Sequence, residues 1–517
     1  MTTPYYDDLI TALSDPGETL HILPGGDLGG PGDSHLAAII PVMAPANFGS
    51  KTFRKEFNLH YAYVGGAMVG GISSVAMVEA LAEIQVLGVF GASGLPPSVV
   101  EDSIGRLKNS LGTRTFGSCL IHSPQDPAWE EKVLEIYLNH GVNLIEASAF
   151  TQITPSLVRY RLKGLRSDPD GTIIAPNRIM AKVSRLELAK RFFSPPPPKI
   201  VQLILAQGWI TESEAALAPY IPMAQDLTAE ADSGGHTDFR PALTLWPSAI
   251  ELAKEMTDLH RYQQPLRVGV AGGLGAPPAF LAAQELGAAY FVVGSINQSC
   301  VESGLSEGAR ELLAKASQTD VAAAPAADMF EMGARVQVLK YGTLFAPRAQ
   351  KLVDLYRQCP SLEAIPADER QNLEEKIFRA PLTDIWNQTE AFFKERDPQQ
   401  LAKAQKDPHF QLALVFRWYL GQASRWAING VSDRRADWCV FCGPSLGAFN
   451  EWVAGTFLTS PKNRRVAVVA QNLLYGLAVY KRLVIARDLG LLPESLCRPL
   501  KPLTPPKLAP FFQGPGQ

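Results

Sequence analysis

The chain has 517 residues, of which 46% are hydrophobic and 19% charged, with a formal charge of -3. Its length exceeds the roughly 250 to 300 residues at which one hydrophobic core stops growing, so a large domain plus further units is expected, and the apolar content excludes global disorder. The near-neutral balance excludes a general basic field for nucleic acid, and Asp7 and Asp8 stand where a secretory leader would carry positive charge, so a soluble, cytoplasmic protein acting neither on nucleic acid nor in a membrane is expected.

Residues 1–58 are rich in Gly and Pro (LPGGDLGGPGD) and predict an irregular N-terminal arm. Short apolar runs then recur as YAYVGGA, VLGVFGA, TFGSCLI, VNLIEASA, RIMAKV, DLTAEAD, LRVGVAGG and AAYFVVGS, which predict eight strands. Between most of them, stretches such as SSVAMVEALAEIQ and DPAWEEKVLEIYLNHG repeat their apolar residues every three or four positions, the helical spacing. Strands apolar on both faces, alternating with amphipathic helices, specify a parallel sheet wrapped by helices. Eight repeats match an α/β protein built on a (β/α)₈ TIM barrel over residues 59–300, with an open doubly wound sheet as the competing architecture. The spacing breaks once, between strands five and six, at SPPPPKIVQLILAQGWITESEAALAPYIPMA. Residues 301–492, including RVQVLKYGTLFAPRAQKLVDLYRQ, predict an additional mainly α-helical region covering the barrel, and 493–517 a Pro-rich tail running extended along the surface.

In such barrels the loops after the strands build the active mouth, and those after strands seven and eight often hold a phosphate. Gly272, Gly273 and Gly275 follow strand seven and open a helix at Pro277, while Gly294 and Ser295 follow strand eight. After strand six, Ser233, Gly234 and Gly235 lead to His236, an imidazole able to donate or accept a proton near neutrality. Gly66, Ala67 and Met68 end strand one with small residues and a flexible thioether, suited to a flat aromatic cofactor, and Lys182 ends strand five with a cation. Cys439 and Cys442 form a CxxC with no second pair at zinc-site spacing, so no metal is expected, and six scattered cysteines do not make a disulfide framework.

The stretches FNLHYAYVGGAMVGGISS, LIHSPQDP, AKVSR, EADSGGHTD, RVGVAGGLGAPPAF and VVGSINQSCVESG resemble the flavin-dependent nitronate monooxygenase and enoyl reductase superfamily. PAADMFEMGARVQVLKYGTLF, ALVFRWYLGQASRWA and CGPSLGAFNEWV narrow the resemblance to the trans-acting enoyl reductases of polyunsaturated fatty acid and polyketide synthases. The resemblance implies an FMN enzyme that takes hydride from NADPH and reduces an α,β-unsaturated thioester carried on an acyl carrier protein. It places Ala67 and Met68 against the flavin ring, Lys182 at its pyrimidine edge, Gly234 and Gly235 along it, and Gly272, Gly273, Gly275, Gly294 and Ser295 at the phosphate. His236 falls at the superfamily's active-site histidine, as proton donor to the α-carbon or as an orienter of substrate or nicotinamide. One departure stands after strand three. The family has an asparagine that touches the flavin where this chain reads Phe116-Gly-Ser-Cys119, so Ser118, a water or a retuned flavin beside Cys119 takes its place. A nitronate-oxidising monooxygenase is the alternative reading, and a catalytically silent scaffold a third. An acyl carrier protein is the implied partner, with Arg417, Arg425, Arg434, Arg435, Arg464 and Arg465 as candidate contacts, and a homodimer is compatible with the sequence.

Overall fold

The computed structural model describes residues 4–123, 126–327 and 329–512. Parts of two resembling stretches, Pro124 and Gln125 in LIHSPQDP and Asp328 in PAADMFEM, lie outside the described residues, as do 513–517 of the tail.

Eight parallel strands close into a barrel: β1 (Tyr63–Gly65), β2 (Leu87–Phe90), β3 (Gly117–Ile121), β4 (Leu144–Ser148), β5 (Arg178–Val183), β6 (Asp226–Glu230), β7 (Arg267–Ala271) and β8 (Phe291–Val293). Each falls within one of the eight apolar runs, and β8 pairs with β1 to seal the cylinder. The intervening helices start and stop where local chemistry dictates. Helix α1 (Pro127–Asn139) opens with Asp126, whose carboxylate accepts from the Trp129 backbone N–H, and with Pro127, which has no N–H to leave unpaired. Helix α2 (Pro277–Leu286) begins on two prolines and stops at Gly287 in the left-handed region. The helices' apolar faces pack onto the outer strand residues, which form one continuous core with them.

Residues 4–57 depart from the irregular arm expected of them. They hold a helix, Pro4–Leu13, and a three-stranded antiparallel sheet of Leu20–Ile22, Leu28–Gly29 and Ala38–Ile40. The glycines of LPGGD make that sheet's hairpin turn, a local signal that composition alone reads as disorder. The helix Lys51–Phe57 plugs the barrel's N-terminal end. Phe53 and Phe57 are buried there, with Phe53 stacked on Tyr290 at 4.3 Å. Glu56 meets Arg178 at 2.9 Å and Arg267 at 2.7 Å, and Arg267 meets Asp226 at 2.7 Å. These ion pairs sit at the starts of β5, β6 and β7, so the lower end is sealed and the strands' C-terminal ends form the open mouth.

The region after the barrel is not purely helical. β9 (Val321–Pro325) and β10 (Arg335–Leu339) form an antiparallel pair, and β10 also pairs with Gly235–His236 from the loop after β6. The run RVQVL was expected to continue a helical pattern, but its period-two valines, Val336 and Val338, are both buried in strand geometry. Helices α3 (Phe345–Gln358), α4 (Leu382–Arg396) and α5 (Pro408–Asn429) build a second core with this sheet, separate from that of the barrel. Helix α5 is capped by Asp407, which accepts from the His409 and Phe410 N–H groups, and ends at Gly430. Helix α6 (Val466–Asp488) is long and apolar enough to cross a membrane, yet 67% of its most apolar window is buried in the fold, where it packs on α2 and the N-terminal elements. The tail after Pro493 includes short helical turns, and Leu508 is buried rather than lying on the surface.

Candidate active site

The C-terminal mouth of the barrel opens into a cavity of about 900 Å³. Gly66, Ala67, Met68, Cys119, Lys182, Ser233, Gly234, Gly235, His236, Gly272, Gly294 and Ser295 all line it, although they come from six different strand ends. The closed barrel produces this convergence, because every strand delivers its following loop to the same rim.

Three residues expected at the site stand elsewhere. Ser118 is fully buried on the outward face of β3, where its hydroxyl donates to Tyr137 Oη at 2.8 Å. Successive strand residues point to opposite faces, so Cys119 rather than Ser118 faces the cavity. Gly273 and Gly275 do not line the cavity either. Gly273 faces Trp246, and Gly275 is pressed against the 445–448 segment, where an added Cβ would lie 2.6 Å from Ser445 O. Their role lies in packing the loop that presents Gly272.

The electrostatic centre of the mouth is a lysine between two carboxylates. Lys182 Nζ lies 3.0 Å from Glu230 and 3.9 Å from Glu146, all on the inner face of the barrel. Burial opposes the Lys182 charge, but Glu230 and Glu146 outweigh it and hold the ammonium above the usual lysine range. Lys182 is therefore a fixed cation, not a proton donor. Burial raises the Glu146 pKa against the pull of Lys182, and the nearby Glu230 raises it further. Glu146 Oε2 accepts no hydrogen bond of normal geometry among the described residues. Burial first, then the Glu146 charge, pushes the Cys119 thiol up to about 11, against a hydrogen bond with Ser93, so it stays protonated and un-nucleophilic at neutral pH.

Glu146 carries a stability prediction. Its folded-state pKa is raised, so above the unfolded-state value the native protein still holds a proton that the unfolded chain has lost, and stability falls as pH rises through that window. Glu146→Gln keeps the shape and removes the charge while Lys182 retains Glu230. Melting curves should show the variant more stable by about 1–3 kcal/mol at neutral pH, the range for an unsatisfied buried polar group. The gain should disappear below about pH 4, near the unfolded-state glutamate pKa. A gain of equal size at every pH would contradict this account.

The loop after β6 is held from outside the barrel. His236 pairs in register with Val336, and Gly235 with Gln337, so the cap strand fixes the imidazole's backbone at the rim. The Cys439–Cys442 segment completes the clamp. Cys442 N–H donates to Gln337 O, Gly443 N–H donates to Ser295 Oγ at 3.1 Å, and a Cβ on Gly234 would strike the Cys442 backbone at 2.9 Å. Both thiols are buried, and burial raises both pKa values, Cys442 to about 12, with Asp320 adding to that shift. Among the described residues no group of three metal-ligating side chains occurs. The CxxC is thus a ledge beneath the loop.

Several lining residues fall within the resembling stretches but received no role from the sequence: Met329, Met332 and Arg335 from the cap, Ser445 from the clamp, and the Arg185–Asp238 pair; Phe441 lies outside those stretches altogether. Arg185 donates to both Asp238 oxygens at 2.8 and 2.9 Å, and these bonds hold the Asp238 carboxyl below its ordinary value. Glu146 did leave a signal, as the lone charge in the apolar run VNLIEASA.

The candidate carrier-protein arginines do not form one surface. Arg464 is fully buried, its guanidinium bonded to Leu458 O, Ser299 and Asn450. Arg434 donates to Ile377 O and Phe378 O and meets buried Asp437, and Arg417 pairs with Glu331 at 2.7 Å. These three serve the fold, leaving Arg425, Arg435 and Arg465 exposed.

The glycines at the rim provide a physical test of whether a flat, phosphate-bearing cofactor fits. Gly294 has φ −115°, open to any residue, and an added Cβ would meet nothing within 4 Å, so it borders open cavity rather than protein. Gly272, at φ +79°, brings backbone to the same space from the neighbouring strand, and Lys182 stands across it. The residues present fit a flat cofactor that carries a phosphate, as a flavin nucleotide does.

Fold and mouth define a (β/α)₈-barrel protein with a cofactor-sized cavity under a cap from its own C-terminal region. Comparison with known proteins narrows this class. The chain is similar to the enoyl reductase domain of MlnA from the macrolactin cluster of Bacillus amyloliquefaciens, with a TM-score of 0.81 and 36% identity over 86% of this chain and 100% of that one. It belongs to the family of that enoyl reductase domain. It is 40% identical to a polyunsaturated fatty acid synthase subunit of Thraustochytrium sp. and 41% identical to polyketide biosynthesis protein PksE of Bacillus subtilis, over 88% and 84% of this chain. The chain spans 31% and 56% of those two relatives. FabK from Thermotoga maritima, at a TM-score of 0.50 and 15% identity, shares the fold. Residues 359–438 match the family model for the inserted helical domain of acyl-carrier-protein S-malonyltransferase.

Proposed function

We propose that the protein reduces α,β-unsaturated acyl thioesters presented in trans on an acyl carrier protein, using FMN with NADPH as hydride donor, in polyketide or polyunsaturated fatty acid biosynthesis. The observation that carries this reading is the convergence of the strand-one apolar turn, Lys182, His236 and the Gly272 and Gly294 loops on one cavity. Its volume lies within the roughly 300–1,000 Å³ of cofactor and small-molecule sites.

Gly272, Gly294 and Ser295 would hold the flavin phosphate, and Ala67 and Met68 would give the ring an apolar wall. When bound, the flavin supplies hydride transfer between a nicotinamide and a polarised carbon–carbon double bond. Lys182, held as a cation by Glu230 and Glu146, would stand at the pyrimidine edge of the ring. His236, whose backbone pairs with Val336 at the rim, would give a proton to the substrate α-carbon or orient the thioester. The likeness of residues 359–438 to a domain of acyl-carrier-protein transferases supports carrier-bound substrate. Anaerobic addition of NADPH should bleach the flavin bands, and a crotonyl carrier protein should restore them as butyryl product forms. A protein that reduces no enoyl thioester, carrier-bound or free, contradicts the proposal.

A further inference from the structure

A second cavity of about 290 Å³ lies beside the first, at the junction of β3, α1, the cap sheet and the helical region. Its walls are largely carbon, with Val133 from α1, Val336 and Phe345 from the cap side and Leu420 from α5. The two cavities share Val69, Cys119, Ile121, His236 and Phe441 as a common wall, so the apolar cavity adjoins the proposed reaction centre. Its outer end is bounded by Arg396 of α4, which lies 4.2 Å over the Trp129 ring and 3.4 Å from Asp126. That boundary is a contact between barrel and helical region rather than core packing.

Close-packed interiors leave few voids larger than a water, and an apolar void offers water few partners, so a space of this size and lining suits an apolar ligand. We infer that this side cavity receives the hydrocarbon chain of the thioester substrate beyond the enoyl carbons, and that the helical region, through Leu420, Ser424 and Arg396, sets the chain length accepted. This inference rests on the proposed function and names its substrate class: acyl thioesters of medium chain length rather than short ones. A cavity of about 150 Å³ holds benzene, so about twice that volume takes on the order of ten chain carbons.

The test uses the holoenzyme with N-acetylcysteamine thioesters of crotonic, octenoic and dodecenoic acids, and two variants that fill the cavity from opposite walls, Ser424→Phe and Val133→Phe. Among the described residues the Ser424 hydroxyl donates to Gly421 O in its own helix, so its loss alone costs little. With wild-type protein, kcat/KM should rise roughly three- to fourfold per added methylene until the cavity is full. In the variants, the octenoyl advantage over crotonyl should shrink by about tenfold or more, the equivalent of two or more buried methylenes, with flavin content and melting temperature retained.

A second readout needs no turnover: calorimetric affinity for the saturated octanoyl thioester against the acetyl one, in wild type and variants. Chain-length preference in wild-type binding that both variants erase supports the inference, even if nothing is reduced, in which case the reductase reading alone fails. Reduction of crotonyl thioester with no chain-length dependence, or with a dependence untouched by both variants, overturns the inference and leaves the reductase reading standing.

Discussion

His236→Ala is expected to lower turnover of enoyl thioesters by about 10²- to 10⁴-fold, the usual range for removing a general acid, while NADPH still bleaches the flavin. The separation follows from position. His236 lines both the cofactor cavity and the apolar side cavity, so its imidazole stands where the acyl substrate would meet the flavin. Its backbone, not its side chain, makes the ladder with Val336, so the substitution leaves the cap sheet paired. Stopped-flow measurement of the two half-reactions checks this directly. Slow reoxidation by enoyl thioester with normal reduction by NADPH is the expected pattern. Unchanged turnover would remove His236 from the chemistry, and equal slowing of both halves would make it an orienter of the nicotinamide.

Gly294→Leu is expected to yield a folded, colourless protein. The residue's φ of −115° lies outside the left-handed region, and, its chain neighbours aside, no atom of the described residues lies within 4 Å of the position its Cβ would take, so the core does not resist the change. The new side chain would instead occupy the space assigned to the flavin phosphate. Overpacking of a fitted site costs about 1–3 kcal/mol and sometimes more, so FMN affinity should fall by at least tenfold to a hundredfold. Flavin content after gel filtration and FMN titration of the apoprotein give the measurement. A yellow, stoichiometrically loaded variant would move the phosphate away from the loop after β8. Gly272 is a poorer probe, because its φ of +79° and the 2.7 Å that would separate an added Cβ from Asp232 O tie it to the fold as well.

Glu146→Gln completes the set from a different direction, since it reads stability rather than cofactor or turnover. The result matters for function because Lys182 is held between two carboxylates. If Glu146 carries a proton, the cluster of Lys182, Glu146 and Glu230 is neutral. If both carboxylates are charged, the cluster is negative, and the mouth would oppose an electron-rich flavin.

The sequence by itself determined the barrel and most of its rim. Apolar runs such as RIMAKV and LRVGVAGG, and the amphipathic stretches between them, express the pleat and the helical turn directly in local order. Turns such as EADSGGHTD and VAGGLGAPP carry their backbone requirements in their own glycines and prolines. Ser118 and Cys119 show the limit of that reading: one residue of register decides which faces the cavity, and register is fixed by pairing with β2 and β4. Only the tertiary structure brought β10 onto Gly235–His236, a pairing across about a hundred residues between segments whose local patterns do not announce each other. The same holds for the Lys51–Phe57 plug, the Lys182–Glu146 contact and the apolar side cavity, whose walls come from the barrel and from helices beyond residue 340. Local periodicity specifies elements, whereas a site formed between elements depends on which surfaces meet when they bury their apolar faces together, and that is a property of the whole packed chain.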